Sequence, residues 1–157
     1  MKQVLQSLSD GKIELADVPA PAVEAGHVLI ETLASLVSAG TERMLMEFGQ
    51  ANLLQKAMQQ PHRVKEVLDK ARTEGVIDTV SAIRSKLDQP IPLGYCNSGR
   101  VVAVGADVTG IDVGDIVASN GPHSEIVLVS KHLCAKVPDN VTPEEAAFAV
   151  IGSIGLQ

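Results

Sequence analysis

Few side chains in this 157-residue sequence are of a type that does chemistry. Two cysteines, Cys96 and Cys134, and four histidines, His27, His62, His123 and His132, are its soft donors and nucleophiles. A thiolate and an imidazole suit zinc, and His132-x-Cys134 offers both if the two fall on one strand face. No second pair stands at metal-site spacing, so no metal ligands are assigned; a buried thiol beside a surface imidazole is the other reading of that pair. Cys96 reads as a small buried filler, or as a reactive thiol if its pKa is depressed. His27 and His62 read as surface residues. His123, in the loop Asn120-Gly121-Pro122-His123-Ser124-Glu125, reads as structural, a loop histidine on the surface. No Gly-x-Gly-x-x-Gly follows a strand, and Gly152-Ser153-Ile154-Gly155 has another spacing. No cofactor-binding residue is therefore assigned, and this chain is expected not to hold a dinucleotide tightly by itself.

Composition removes other functions. Lys and Arg number 13 against 19 Asp and Glu, a net charge of −6, where sequence-independent nucleic-acid binding needs a basic surface. The aromatic residues are Tyr95, Phe48 and Phe148, with no tryptophan, too few for base stacking. Most basic residues fall between Lys56 and Lys86, mixed with Glu66, Asp69 and Glu74, as on solvated helix faces. No apolar run reaches the roughly 18 residues of a membrane span. Met1 to Asp10 alternates polar and apolar residues without a signal-peptide core. With no disulfide framework either, the reading is a cytoplasmic protein. Length and the 45% apolar content suit one domain with a real core.

The elements that must position these residues fall into three zones. In the first, Ser9-Asp10-Gly11 separates two alternating runs, as in a hairpin. His27 to Val37 then reads as a long strand, with Val28, Ile30, Thr32, Ala34 and Leu36 on one face. In the second, about Met44 to Gln89, the period becomes helical. Leu45, Phe48, Leu53, Leu54, Ala57 and Met58 make one stripe, Val64 to Ala71 a second, Ile77 to Leu87 a third. Ser38 and Thr41 both suit a turn or cap before that zone. In the third, Gly94, Gly99, Gly105, Gly110 and Gly114 punctuate short runs such as Arg100–Val104 and Ile116–Ala118, with further strands at Glu125 to Val129 and Leu133 to Val137. Gly99 suits a close approach of strand backbones; Gly105 and Gly114 suit turns of positive φ. Thr142-Pro143-Glu144-Glu145 opens a helix with a capping box, running on through Ala146, Ala147, Phe148, Val150 and Ile151. The reading is a mainly β (α+β) fold, with the helical zone, about 43–89, inserted between two β zones.

Four ordered motifs carry a family resemblance. Ala39-Gly40-Thr41-Glu42, the string from Pro92-Leu93-Gly94-Tyr95-Cys96 through Gly99-Arg100-Val101 to Val104-Gly105, Gly114-Asp115-Ile116-Val117, and Lys136-Val137-Pro138-Asp139 leading to Glu144-Glu145-Ala146-Ala147 resemble the medium-chain dehydrogenase/reductase superfamily. The resemblance covers about two-thirds of the chain. It implies a GroES-like β-barrel over 1–157, the catalytic, substrate-side domain. It also implies a following Rossmann domain, absent from this chain, to supply NAD(P).

Where members with a catalytic zinc place Cys, His and often Glu, this sequence has Ala39, Tyr95 and Cys96; the family's four-cysteine lobe is also missing. The resemblance therefore implies a zinc-independent enzyme. Thr41 matches the family's proton-relaying hydroxyl, and Tyr95 stands where a phenol would donate to a developing alkoxide or enolate. Both are the candidate catalytic residues, each against a structural alternative: a cap for Thr41, a barrel-rim aromatic for Tyr95. Glu42 matches an acid that orients a metal-bound histidine, which is missing here; a first-turn helix Glu is the alternative. The implied function is hydride transfer to or from a carbonyl or alcohol, on a small-molecule substrate, by a protein inactive without its cofactor domain. The alternative is a non-catalytic GroES-like binding or assembly module. The apolar stretch from Ala146 to Leu156 is expected to pack on the missing domain, and homo-oligomerisation stays open.

Overall fold

The computed structural model describes residues 1–51 and 88–156. The second and third helical stripes, and the first beyond Ala51, lie outside them.

In chain order the strands are β1 (Lys2–Gln6), β2 (Ile13–Asp17), β3 (His27–Ser35), β4 (Ile91–Pro92), β5 (Asn97–Val104), β6 (Ile116–Ser119), β7 (Ile126–Ser130) and β8 (Cys134–Lys136). The helices are α1 (Ala39–Gln50), α2 (Pro143–Ala146) and α3 (Ala149–Gly155), with a 3-10 turn at Lys131–Leu133. The fold is mainly β. The strands form one sheet of order β2-β1-β4 and a five-stranded sheet of order β7-β3-β5-β6-β8. Every neighbouring pair in the larger sheet is antiparallel.

Alternation along β3, next to the edge strand β7, makes the core. Val28 and Ile30 on β3 are buried and pair with Val129 and Val127 on β7. On the other side Val28 faces Val104 and Ile30 faces Val101 on β5. With Ile111 and Val117 these form one apolar cluster, dominated by β-branched residues, which suit a pleated, packed surface. Register shifts between Leu29 and Ile30 and between Thr32 and Ala34 bend the β3–β5 ladder. α2 packs on β3, β5 and β6, and α3 on β6.

The chain divides into two units. The first comprises Met1–Val4, Leu15–Glu42 and Pro92–Gln157; the second comprises Leu5–Glu14 and Arg43–Ile91. In the second, Ser7 N–H donates to the Lys12 carbonyl (2.9 Å), and Gly11 at φ 73 closes the expected turn. Gln6, fully buried, donates its amide to the Leu45 carbonyl at 2.8 Å.

Three expectations need correction. The first helix begins at Ala39 rather than near Met44, so Thr41 lies inside its first turn and is not a cap. Gly114 has φ 98 as expected, but Gly105 does not take a positive φ; a side chain there would run into the Glu24 carbonyl, so its role is close backbone approach. Gly99 has that role too, against the Glu31 carbonyl. The capping box at Thr142 forms with Glu145, but the helix behind it breaks in two. Phe148 N–H bonds three residues back, to Glu145 (3.1 Å), and this tighter turn separates α2 from α3.

Candidate functional site

The two candidate catalytic residues meet. Tyr95, half-buried in the segment before β5, donates its hydroxyl to Ser38 Oγ at 2.8 Å and to Thr41 Oγ1 at 3.2 Å. The phenol is thus shared between two hydroxyls at the start of α1, one on the residue before the helix and one on its third residue. All three residues lie in the first unit.

Behind them is a buried acid–base pair. Glu42 is 3% exposed and uses both oxygens. Oε1 accepts from the Ser38 backbone N–H at 2.8 Å, and Oε2 lies 3.2 Å from His123 Nε2. Glu42 is the first-turn helix residue of the alternative reading, and the histidine it holds is one supplied by a loop, not the metal-bound histidine of the family, whose position is Tyr95. A carboxylate in this turn also sits well against the amide end of the helix.

His123 is therefore not a surface residue. Its Nδ1 bonds Ser35 Oγ at 2.9 Å. Its N–H donates to the Leu93 carbonyl (2.8 Å), and its own carbonyl accepts from Val4 N–H (2.9 Å). Gly94 makes room for the ring: at φ 94, a Cβ there would stand 2.6 Å from His123 Cδ2. The sequence offered no signal for this. A loop histidine carries no period, and the partners that draw it inward are 81 and 88 residues away.

A second buried polar line crosses the sheet. Asn97 Nδ2 on β5 donates to Thr32 Oγ1 on β3 at 2.8 Å. Ser119 Oγ on β6 donates to Asn97 Oδ1 at 3.3 Å and accepts from Gly121 N–H at 3.3 Å. This rung anchors the start of the loop that delivers His123. A polar Asn97-Ser98 pair leading into an apolar central strand was the available signal, since buried polar groups in sheets need partners.

The remaining candidates separate. Cys96 is buried beside the site, and desolvation pushes its thiol up, the opposite of what a reactive thiolate needs. Cys134 packs against the core, and burial pushes it up to about 11. His132 is exposed in the 3-10 turn, so it does not share a face with Cys134. Among the described residues no group of three or more His, Cys, Asp or Glu side chains converges. Ala39 contributes no donor atom, and Tyr95 is committed to two hydroxyls.

Asp115 accepts from Asp112 N–H at 2.7 Å and pairs with Lys136 Nζ at 2.9 Å. The Asp112 amide first, and then Lys136, hold its carboxyl below the usual carboxylate value. Gly114, Asp115 and Lys136 line a cavity of about 360 Å³ with Pro138, Asp139 and Pro143. Among the described residues no helix is long and apolar enough to cross a membrane.

No protein-family profile matches the chain. Over 57 residues it is 42% identical to a highly reducing polyketide synthase of Penicillium soppii, a match covering 35% of this chain and 2% of that protein. Solved structures match over nearly its whole length. A mycobacterial quinone oxidoreductase is 25% identical, with TM-score 0.64, over 99% of this chain and 39% of its own. Galactitol-1-phosphate dehydrogenase from Escherichia coli is 18% identical, with TM-score 0.68, over 99% and 43%. A quinone oxidoreductase from Escherichia coli, solved with NADPH, is 15% identical, with TM-score 0.62, over 94% and 36%. The chain spans about two-fifths of the length of these structures.

Proposed function

We propose that the chain is the N-terminal, GroES-like, substrate-side domain of a zinc-independent, NAD(P)-dependent oxidoreductase of the medium-chain dehydrogenase/reductase superfamily, a reading supported by the fold it shares with solved oxidoreductases of that kind. The reaction is hydride transfer to or from a carbonyl or alcohol substrate. The observation that carries this reading is the Tyr95 hydroxyl held between Ser38 and Thr41 at 2.8 and 3.2 Å. A dinucleotide domain following in the longer protein is part of the proposal, supported by the two-fifths coverage of relatives such as the NADPH-bound quinone oxidoreductase.

The residues present do not fit a catalytic zinc. Ala39 has no ligand atom, Tyr95 offers a phenol already engaged, and the buried Cys96 resists ionisation. The nicotinamide, when bound, supplies the hydride. Tyr95 supplies the polar group: as a carbonyl carbon is reduced, its oxygen gathers the displaced electron pair, and the phenol O–H donates to that oxygen. A fixed donor aimed at a forming oxyanion is worth about 2.7–4 kcal/mol. Thr41 and Ser38 already accept the Tyr95 proton, so they hold the phenol in place until substrate oxygen replaces one of them. If the phenol passes its proton on to the alkoxide, the Thr41 hydroxyl, exposed at the start of the helix, can give its own proton to the phenolate while taking another from water, and so stores no charge.

The test is made on the full-length protein, after reading the gene beyond Gln157. NAD(P)H oxidation is followed against quinones, enones and aldehydes. Tyr95→Phe is expected to lower kcat by roughly two orders of magnitude with little change in KM. An equally active Tyr95→Phe enzyme removes Tyr95 from the chemistry. A frame with no dinucleotide domain favours a binding or assembly module instead.

A further inference from the structure

His123 is the buried imidazole that the proposed reaction does not use. Both ring nitrogens are engaged, Nε2 with Glu42 at 3.2 Å and Nδ1 with Ser35 at 2.9 Å. Glu42 spends its other oxygen on the Ser38 N–H, and the Ser38 hydroxyl is the nearer acceptor of the Tyr95 phenol. The contacts run in one line: Ser35, His123, Glu42, Ser38, Tyr95. The middle of that line is out of water, where a lost partner costs most. Gly94, against the ring face, keeps the imidazole from being displaced.

We infer that His123 is a positioning residue: acting through Glu42, it fixes the first turn of α1 and so the Ser38 hydroxyl that receives the Tyr95 phenol. This goes beyond the oxidoreductase reading and holds whether or not Tyr95 does chemistry. It also fixes the proton on the ring. Glu42 accepts at both oxygens, from Ser38 N–H at one and from His123 Nε2–H at the other. Nδ1 is then the acceptor of the Ser35 O–H.

The chain supplies its own reporter, since Tyr95 is its single tyrosine and tryptophan is absent. Three readouts are taken at neutral pH on the 157-residue chain: tyrosine emission, amide hydrogen exchange at Ser38, and ¹⁵N shifts of the His123 ring. In the parent, the Nε2–H tautomer is expected. In His123→Ala, Ser38 exchange rises about tenfold, and Tyr95 emission moves to that of Ser38→Ala, while amides of Val28 and Val101 keep their protection. His123→Gln, which restores an N–H donor to Glu42, recovers part of both signals. In Glu42→Gln the side-chain amide must donate to the ring, so the His123 proton moves to Nδ1. Unchanged Ser38 exchange and Tyr95 emission in folded His123→Ala overturn the proposal. So does a parent ring in the Nδ1–H tautomer, or a Glu42→Gln ring that does not switch; these two decide the matter even if His123→Ala fails to fold.

Discussion

Lys136 Nζ stands 2.9 Å from Asp115, and His123 Nε2 stands 3.2 Å from Glu42. Distance alone ranks the first contact higher, but surroundings reverse the order. The Lys136 and Asp115 side chains are 51% and 21% exposed, so water and salt screen the attraction and hydrate either group if the other is removed. The His123 and Glu42 side chains are 10% and 4% exposed, and nothing hydrates the survivor of a broken pair. One pair decorates a turn. The other joins a loop, a strand end and a helix start, which is why its effect reaches Tyr95.

The most damaging substitution should therefore be His123→Ala, which leaves the Glu42 carboxyl buried with only the Ser38 N–H. A loss of about 2–3 kcal/mol is expected from urea unfolding. A loss under about 1 kcal/mol would mean that water reaches Glu42, and would erase the contrast between the pairs. Next comes Gly94→Ala. It adds a Cβ 2.6 Å from the His123 ring at φ 94, with an expected cost of about 1–3 kcal/mol. Part of that cost is collision with the imidazole, so Gly94→Ala should cost less in the His123→Ala background. A double-mutant cycle measures the difference, at about 0.5 kcal/mol or more. Additive costs would place the whole penalty in the backbone.

The same contrast explains what the sequence made legible. The strands were readable because Val28, Ile30, Val101 and Val127 sit in alternating runs bounded by glycines. The capping box was readable because Thr142 and Glu145 are three residues apart. Thr41 and Tyr95 were singled out through a motif resemblance rather than a period, and the fold then brought them within hydrogen-bond range. The partners of His123 were not readable: an exposed pair and a buried pair use the same residue types, and only the long-range fold decides which is which. Gly105 failed for a related reason, because positive φ and close approach both select glycine.

Between the two pairs lies the Thr142–Glu145 box, exposed but built on backbone donors. Thr142→Ala should cost about 1 kcal/mol, read from the same urea midpoints. A negligible loss would mean that packing of α2 on the sheet holds the helix without its cap.

The smallest effect belongs to Asp115 and Lys136, and pH reads it best. Asp115 is held below its ordinary value, first by the Asp112 amide and then by Lys136. A carboxyl depressed on folding adds stability that is fully present above its unfolded value, about 3.9, and that is lost as pH falls through the folded one. Asp115→Asn keeps an oxygen for the Asp112 amide and removes the charge. Parent and variant should therefore differ slightly at neutral pH and converge below about pH 4, with Lys136→Met showing a smaller gap that closes in high salt. Two outcomes would reverse the ranking of the pairs: a gap that survives both acid and salt, or a Lys136→Met loss as large as that of His123→Ala. Either would mean that the 2.9 Å contact is shielded from water in solution.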